Sequence, residues 1–146
     1  MAERVATEDA GTLGWLAARA RISDLVHRYA NNIVAGRFQE CRVLFTADAT
    51  FETRQVKPGD AASVRTLNRA EGIDAILAYI GRSAGSVCPM IHNLVIDIDG
   101  SQATASSIMA ATAWNTGQII VGQYHDTFHR GPDWCFSSRT YTMFRE

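Results

Sequence analysis

The chain has 146 residues, 47% of them apolar and 20% charged, with a formal net charge of -1. That length and balance fit one globular domain with a full-sized core, and they exclude a fibrous or disordered chain. The near-neutral charge offers no electrostatic basis for nucleic acid or an anionic membrane as partner, and no apolar run reaches the length of a transmembrane helix.

Residues 1–12 carry three acids and no apolar run, so they are expected to be a flexible arm and not a signal peptide, with a single domain over 13–146. From Leu13 to Ala35 the spacing is helical, with Ile22, Leu25, Val26, Tyr29 and Ile33 on one buried face and Gly36 as C-cap. A second, short helix follows, with Phe38, Cys41, Leu44 and Phe45 on one side. "ATFET" (49–53) reads as a first strand, and the polar stretch 55–70, which holds Pro58-Gly59, as a loop. A third helix is expected over Glu71–Arg82, with Ile73, Ile76, Leu77 and Ile80 inward.

After "SAGS" (83–86) the period changes from 3.6 to 2. Strands are expected at 90–98, 102–114, 118–130 and 133–144, separated by Asp99-Gly100, Asn115-Thr116-Gly117 and Gly131-Pro132-Asp133. The plan is α+β: three N-terminal helices packed in a curved, mainly antiparallel sheet of five or six strands. Alternation over "MIHNLVIDIDG" (90–100) puts His92, Leu94, Ile96 and Ile98 on one face. Such a histidine is either satisfied by a backbone group in the core or a catalytic base at the floor of a cavity. The small residues of "QATASSIMAATAW" (102–114) leave room, either for a closely packed helix or for that cavity. The last strand is apolar on both faces, with Trp134, Phe136 and Phe144 on one and Cys135, Tyr141 and Met143 on the other. A sheet covered on one side should be polar outside, so a homodimer through the outer face is expected, drawing on Trp134, Phe136 or Phe144.

Cys41, Cys88 and Cys135 stand far apart with no CxxC pair, so they read as reduced thiols in a cytoplasmic protein. His125 and His129 in "HDTFH" share a strand face but stand about 13 Å apart, too far for one metal ion, and Asp126 faces the other way. There is no GxGxxG, P-loop or nucleophile elbow, so neither metal nor nucleotide cofactor is expected.

The words "ISDLVHRYA" (22–30), "LFTADATFE" (44–52), "HNLVIDIDGSQATASS" (92–107), "GQYHDTFHR" (122–130) and "WCFSSRTY" (134–141), in this order, resemble the SnoaL-like branch of the nuclear transport factor 2-like superfamily. The resemblance covers nearly the whole chain from residue 13. It implies a cone of three helices wrapped by a strongly bent sheet around a hydrophobic pocket, and says little about reaction, because that superfamily hosts many. In its dehydratase- and dehydrochlorinase-like members a histidine opens the strand after the third helix, and here that position is His92. Their orienting aspartate, late in the first helix, has no counterpart: no carboxylate occurs between Tyr29 and Glu40, which leaves Asn32 to orient the imidazole.

The resemblance further places Phe51 and Tyr124 as pocket aromatics and Arg139 as a pocket-facing position, and strand parity adds Asp126 and Tyr141. Tyr29 reads either as a core aromatic with a satisfied hydroxyl or as an inward donor. Asp126 and Arg139 read either as a structural ion pair or as groups that meet substrate. The function implied is a cofactor-free lyase or isomerase of dehydratase type. Its substrate would be a small, largely apolar cyclic or polyketide-like molecule, with His92 removing a proton and Tyr29 holding the developing oxyanion. The alternative is a non-catalytic ligand-binding module, or a partner subunit resembling the small subunit of ring-hydroxylating dioxygenases.

Overall fold

The computed structural model describes residues 2–145, with side chains described from residue 11 onward. In chain order it has helix α1 (Ala2–Val34), a short 3-10 helix (Phe38–Leu44), strands β1 (Phe45–Lys57) and β2 (Asp60–Glu71), helix α2 (Ile73–Ile80), and strands β3 (Val87–Asp99), β4 (Gln102–Ala113), β5 (Ile119–Arg130) and β6 (Trp134–Phe144). The strands form one curved, open sheet in the order β2-β1-β6-β5-β4-β3. Every pairing is antiparallel except β1 with β6, where the last strand returns beside the first.

The three-helix, bent-sheet plan expected from the sequence is the one observed, with six strands. In α1 the stripe Ile22, Leu25, Val26, Tyr29 and Ile33 is buried, as its spacing requires. Gly36, just past the helix end, takes φ 73°, a left-handed conformation that glycine enters without a Cβ penalty. The helix starts at Ala2, so most of the stretch expected as an arm up to residue 12 continues α1; Met1 and Glu146 lie outside the described residues. From Ile73 to Ile80, Ile76, Leu77 and Ile80 turn into the core.

One segment differs in kind. The stretch 55–70, expected as a loop, is the greater part of a β1–β2 hairpin whose turn is Pro58-Gly59 between the paired Lys57 and Asp60. Pro58 presets φ for the first turn position and Gly59 (φ 79°) supplies the second. Polar pairs bind the hairpin: Glu52 stands opposite Arg69 and accepts hydrogen bonds from Arg54 Nη2 and Thr66 Oγ1, both at 2.8 Å. The Arg54 and Thr66 contacts hold the Glu52 carboxylate below its ordinary range.

Two one-residue bulges decide which side chains face the core. On β3 the register slips between His92 and Val95, with Asn93 at φ 54°. Asparagine is among the few non-glycine residues that tolerate that region. Before the slip Pro89 and Ile91 point inward; after it Leu94, Ile96 and Ile98 do. His92 therefore falls on the outer side with Met90, exposed, and the expectation that it heads the inward row is wrong. On β6 the register slips between the pairs Thr127–Ser138 and Phe128–Phe136, leaving Ser137 as the extra residue. Trp134 and Phe136 consequently turn inward with Arg139 and Tyr141, and all four are buried. Trp134 and Phe136 are thus core residues and cannot form an outer contact face.

Among the described residues no helix is long and apolar enough to cross a membrane. The three cysteines are free thiols.

Candidate functional site

A cavity of about 280 Å³ lies between α1, α2 and the concave face of the sheet. Each wall follows from the local fold. Tyr29 comes from the buried stripe of α1, Phe51 and Thr53 from β1, and Tyr79 and Ile80 from the last turn of α2. Met109 and Ala111 come from β4, Tyr124 from β5, and Tyr141 from β6. The small residues of β4 act differently along its length: Ala111 borders the cavity, whereas Ala103 and Ala105 are core. A wider hollow of about 640 Å³ lies at the opposite end of the strands, bordered by Asp97, Asp99, Gln102 and His129. The cavity is the candidate site because aromatic walls and hydroxyls converge there.

Beneath the tyrosines sits a fully buried ion pair. Arg139 Nε donates to Asp126 Oδ1 at 2.8 Å and Nη2 donates to Oδ2 at 3.2 Å. The guanidinium carbon lies 3.7 Å from the Tyr124 ring centre and 4.4 Å from those of Tyr29 and Phe136. A cation packed against three ring faces and matched by a bidentate carboxylate is neutralised in place. Neither Asp126 nor Arg139 borders the cavity; they support the tyrosines that do.

The hydroxyls of the wall are donors. Burial pushes Tyr29 well above the ordinary tyrosine range, and it pushes Tyr124 and Tyr141 up as well. All three are protonated at neutral pH and none can serve there as a base. Thr53 Oγ1 and Tyr79 Oη share a hydrogen bond of 2.6 Å. Tyr141 Oη is buried and has no partner. A buried hydroxyl left without a partner costs about 1–3 kcal/mol. Tyr141 keeps its place because β5 has a glycine beneath it: a Cβ on Gly122 would stand 2.6 Å from the Tyr141 ring.

Of the residues expected in the site, Tyr29, Phe51, Tyr124 and Tyr141 meet in the cavity. His92 does not: it is exposed on the opposite side of the sheet. Asn32 does not line the cavity either; it stands by the Cys41 thiol, which burial pushes up to about 11 against the lowering influence of Asn32. Among the described residues no histidine and no carboxylate lines the cavity. Sequence reasoning missed Thr53, Tyr79, Arg82 and Gly122. For Tyr79 a signal existed, three residues beyond the inward Ile76 on α2. For Arg82, in the turn after α2, none did.

No curated protein matches the chain. Solved structures do match in fold. An NTF2-like protein with a cystatin-like fold from Novosphingobium aromaticivorans superposes with TM-score 0.76 at 23% identity, covering 94% of this chain and 88% of that one. A scytalone dehydratase-like protein from the same organism gives 0.72 at 22% identity, covering 92% and 89%. The beta subunit of a protein assigned there as an aromatic-ring-hydroxylating dioxygenase gives 0.73 at 17% identity, covering 92% and 93%. At the sequence level the model of the SnoaL-like domain matches residues 15–140, nearly the whole α+β cone, and the chain belongs to the SnoaL-like domain family.

Proposed function

We propose that this SnoaL-like protein binds a small cyclic molecule with a largely apolar body in the tyrosine-walled cavity, with Tyr141 among the polar groups that meet it. The observation that carries this reading is the composition of the wall: apolar and aromatic surface, protonated hydroxyls, Arg82 at the rim and, among the described residues, neither a histidine nor a carboxylate. Dehydratase-type chemistry needs a base within hydrogen-bond reach of the substrate proton. His92, expected in that role, lies across the sheet, and Asp126 is committed to Arg139. The binding-module reading therefore replaces the lyase or isomerase reading as the better supported. The three free cysteines fit a reducing compartment, the cytoplasm.

The test is a thermal-shift and product screen with phenols, terpenoids, steroids and halogenated rings on wild type, His92→Ala and Tyr141→Phe. Ligands are expected to stabilise wild type and His92→Ala equally and to be recovered unchanged. Tyr141→Phe removes an unsatisfied hydroxyl, so the empty protein should gain about 1 kcal/mol while affinity for hydroxylated rings falls about fivefold. Turnover that disappears in His92→Ala would restore the enzyme reading and sink this one.

A homodimer through the outer sheet face is the second part of the proposal. Met90, Ala110 and Val121 stand side by side across β3, β4 and β5, and Phe144 pairs with Val56 at the same end of the sheet. Met90, Ile119 and Val121 are exposed. This row differs from the surface expected on the last strand: Trp134 and Phe136 are in the core, and of the three residues named there Phe144 alone stays beside it. A uniform apolar row on a face with no helix over it is the usual mark of a subunit contact. Light scattering at micromolar concentration should give twice the chain mass for wild type and the single-chain mass for Val121→Glu. A monomeric wild type would rule the contact out.

A further inference from the structure

We infer that the ligand of the cavity is an anion, an aromatic or alicyclic carboxylic acid whose ring fills the cavity and whose carboxylate meets Arg82 at the rim. This rests on the cavity-binding reading above and names the chemical class it takes. Among the described residues Arg82 is the sole charged one bordering the cavity, and no acid of those residues faces it there. Arg42 holds Asp74, Arg54 holds Glu52 and Arg139 holds Asp126, whereas Arg19, Arg65, Arg130 and Arg145, like Arg82, form no ion pair among the described residues; of these unpaired arginines Arg82 is the one that borders the cavity. Arg82 forms no ion pair among the described residues, although the chain carries 15 acids to 14 bases.

The Arg82 guanidinium is also positioned. Its carbon lies 5.8 Å from the centre of the Tyr79 ring, and that ring is fixed by the 2.6 Å hydrogen bond between its hydroxyl and Thr53. A guanidinium set over an aromatic face keeps its N–H donors free at the edges, where a carboxylate can take two of them. The apolar wall behind it lowers the local dielectric and strengthens an ion pair at the mouth relative to one in open water. At the inner end, the buried Tyr141 hydroxyl has no hydrogen-bond partner among the described residues. A cavity of about 280 Å³ sits at the small end of ligand sites, which sets the body of the acid at one or two fused rings. The ligand thus has a carboxylate at one end, a rigid apolar body, and a polar atom at the other.

Calorimetry with 6-hydroxy-2-naphthoate, 6-hydroxy-2-naphthamide and 2-naphthol, on the full chain and on Arg82→Gln, tests this. Wild type should bind the acid about five- to tenfold more tightly than the amide, a preference that shrinks as salt is raised. Arg82→Gln should erase that preference and leave 2-naphthol affinity unchanged, which shows the cavity intact. Equal binding of acid and amide by wild type, or a preference that survives in Arg82→Gln, overturns the inference while 2-naphthol binding keeps the cavity reading. If none of the three binds wild type, the cavity reading fails and this inference with it.

Discussion

Asp126→Ala is expected to cost about 3–5 kcal/mol of folding stability, and roughly 10 °C in Tm for a domain of this size. Both members of the pair are fully buried, so removing the carboxylate leaves the Arg139 charge in the core with no counter-ion. The reciprocal change is milder, because the two orphans differ chemically. A guanidinium cannot shed its proton in a protein, whereas a stranded carboxylate can take one up. In Arg139→Met the Asp126 carboxyl should therefore titrate above its unfolded value. A carboxyl with a raised folded pKa binds more protons folded than unfolded, so stability falls as pH rises through the interval between the two values. Urea unfolding of Arg139→Met should give higher stability at pH 5 than at pH 8, and Asp126→Ala should show no such gain on acidification. The double variant should recover much of either loss, since methionine can pack against the rings of Tyr29, Tyr124 and Phe136 and no unpaired charge remains. Additive losses in the double variant would show that the pair is not coupled.

What the sequence disclosed and what it hid divide along one physical line. Periodicity reports an average over a segment, and it worked where the segment is regular. The α1 stripe through Tyr29 and Ile33 was legible from spacing alone, as were the turns at Gly100 and Gly117, where φ is positive. Tyr124, expected in the pocket from the resemblance, and Tyr141, from strand parity, both border the cavity; β5 is regular against β4, and Tyr141 lies beyond the β6 bulge. A bulge, by contrast, inserts one residue and reverses the parity of everything on one side of it, with almost no compositional trace. Asn93 was the one hint on β3, a residue type that accepts positive φ beside the very histidine at issue. Nothing marked Ser137 on β6. The β1–β2 hairpin was unreadable for a different reason: β2 is exposed along nearly its whole length, so it lacks the alternation that identifies a half-buried strand. The cavity's Tyr79–Thr53 bond joins residues 26 apart on a helix and a strand, a relation no local pattern contains.

Gly122→Ala should be the most damaging single-methyl change in the site. A Cβ at this position would lie 2.4 Å from the Thr142 carbonyl oxygen and 2.6 Å from the Tyr141 ring. The ring can swing away, but the carbonyl belongs to the backbone of the neighbouring strand, whose Met143 pairs with Gly122. Relief thus requires β5 and β6 to part locally, and the expected loss is about 2 kcal/mol, within the range for overpacked interiors. Binding should suffer more than in Tyr141→Phe, because a displaced ring occupies the cavity it formerly walled. Gly131→Ala is the control: a Cβ there meets nothing within 4 Å, and stability should stay within about 0.5 kcal/mol of wild type. Adding Tyr141→Ala to Gly122→Ala separates the two clashes. Measured against Tyr141→Ala alone, which frees the ring side of the contact, the methyl at Gly122 should cost less than it does in wild type but still something, because the Thr142 carbonyl stays in place. No cost at all in the Tyr141→Ala background would mean that the backbone contact carries none and that Gly122 serves Tyr141 alone. Wild-type binding of 2-naphthol by Gly122→Ala would mean that the ring above it is no part of the site.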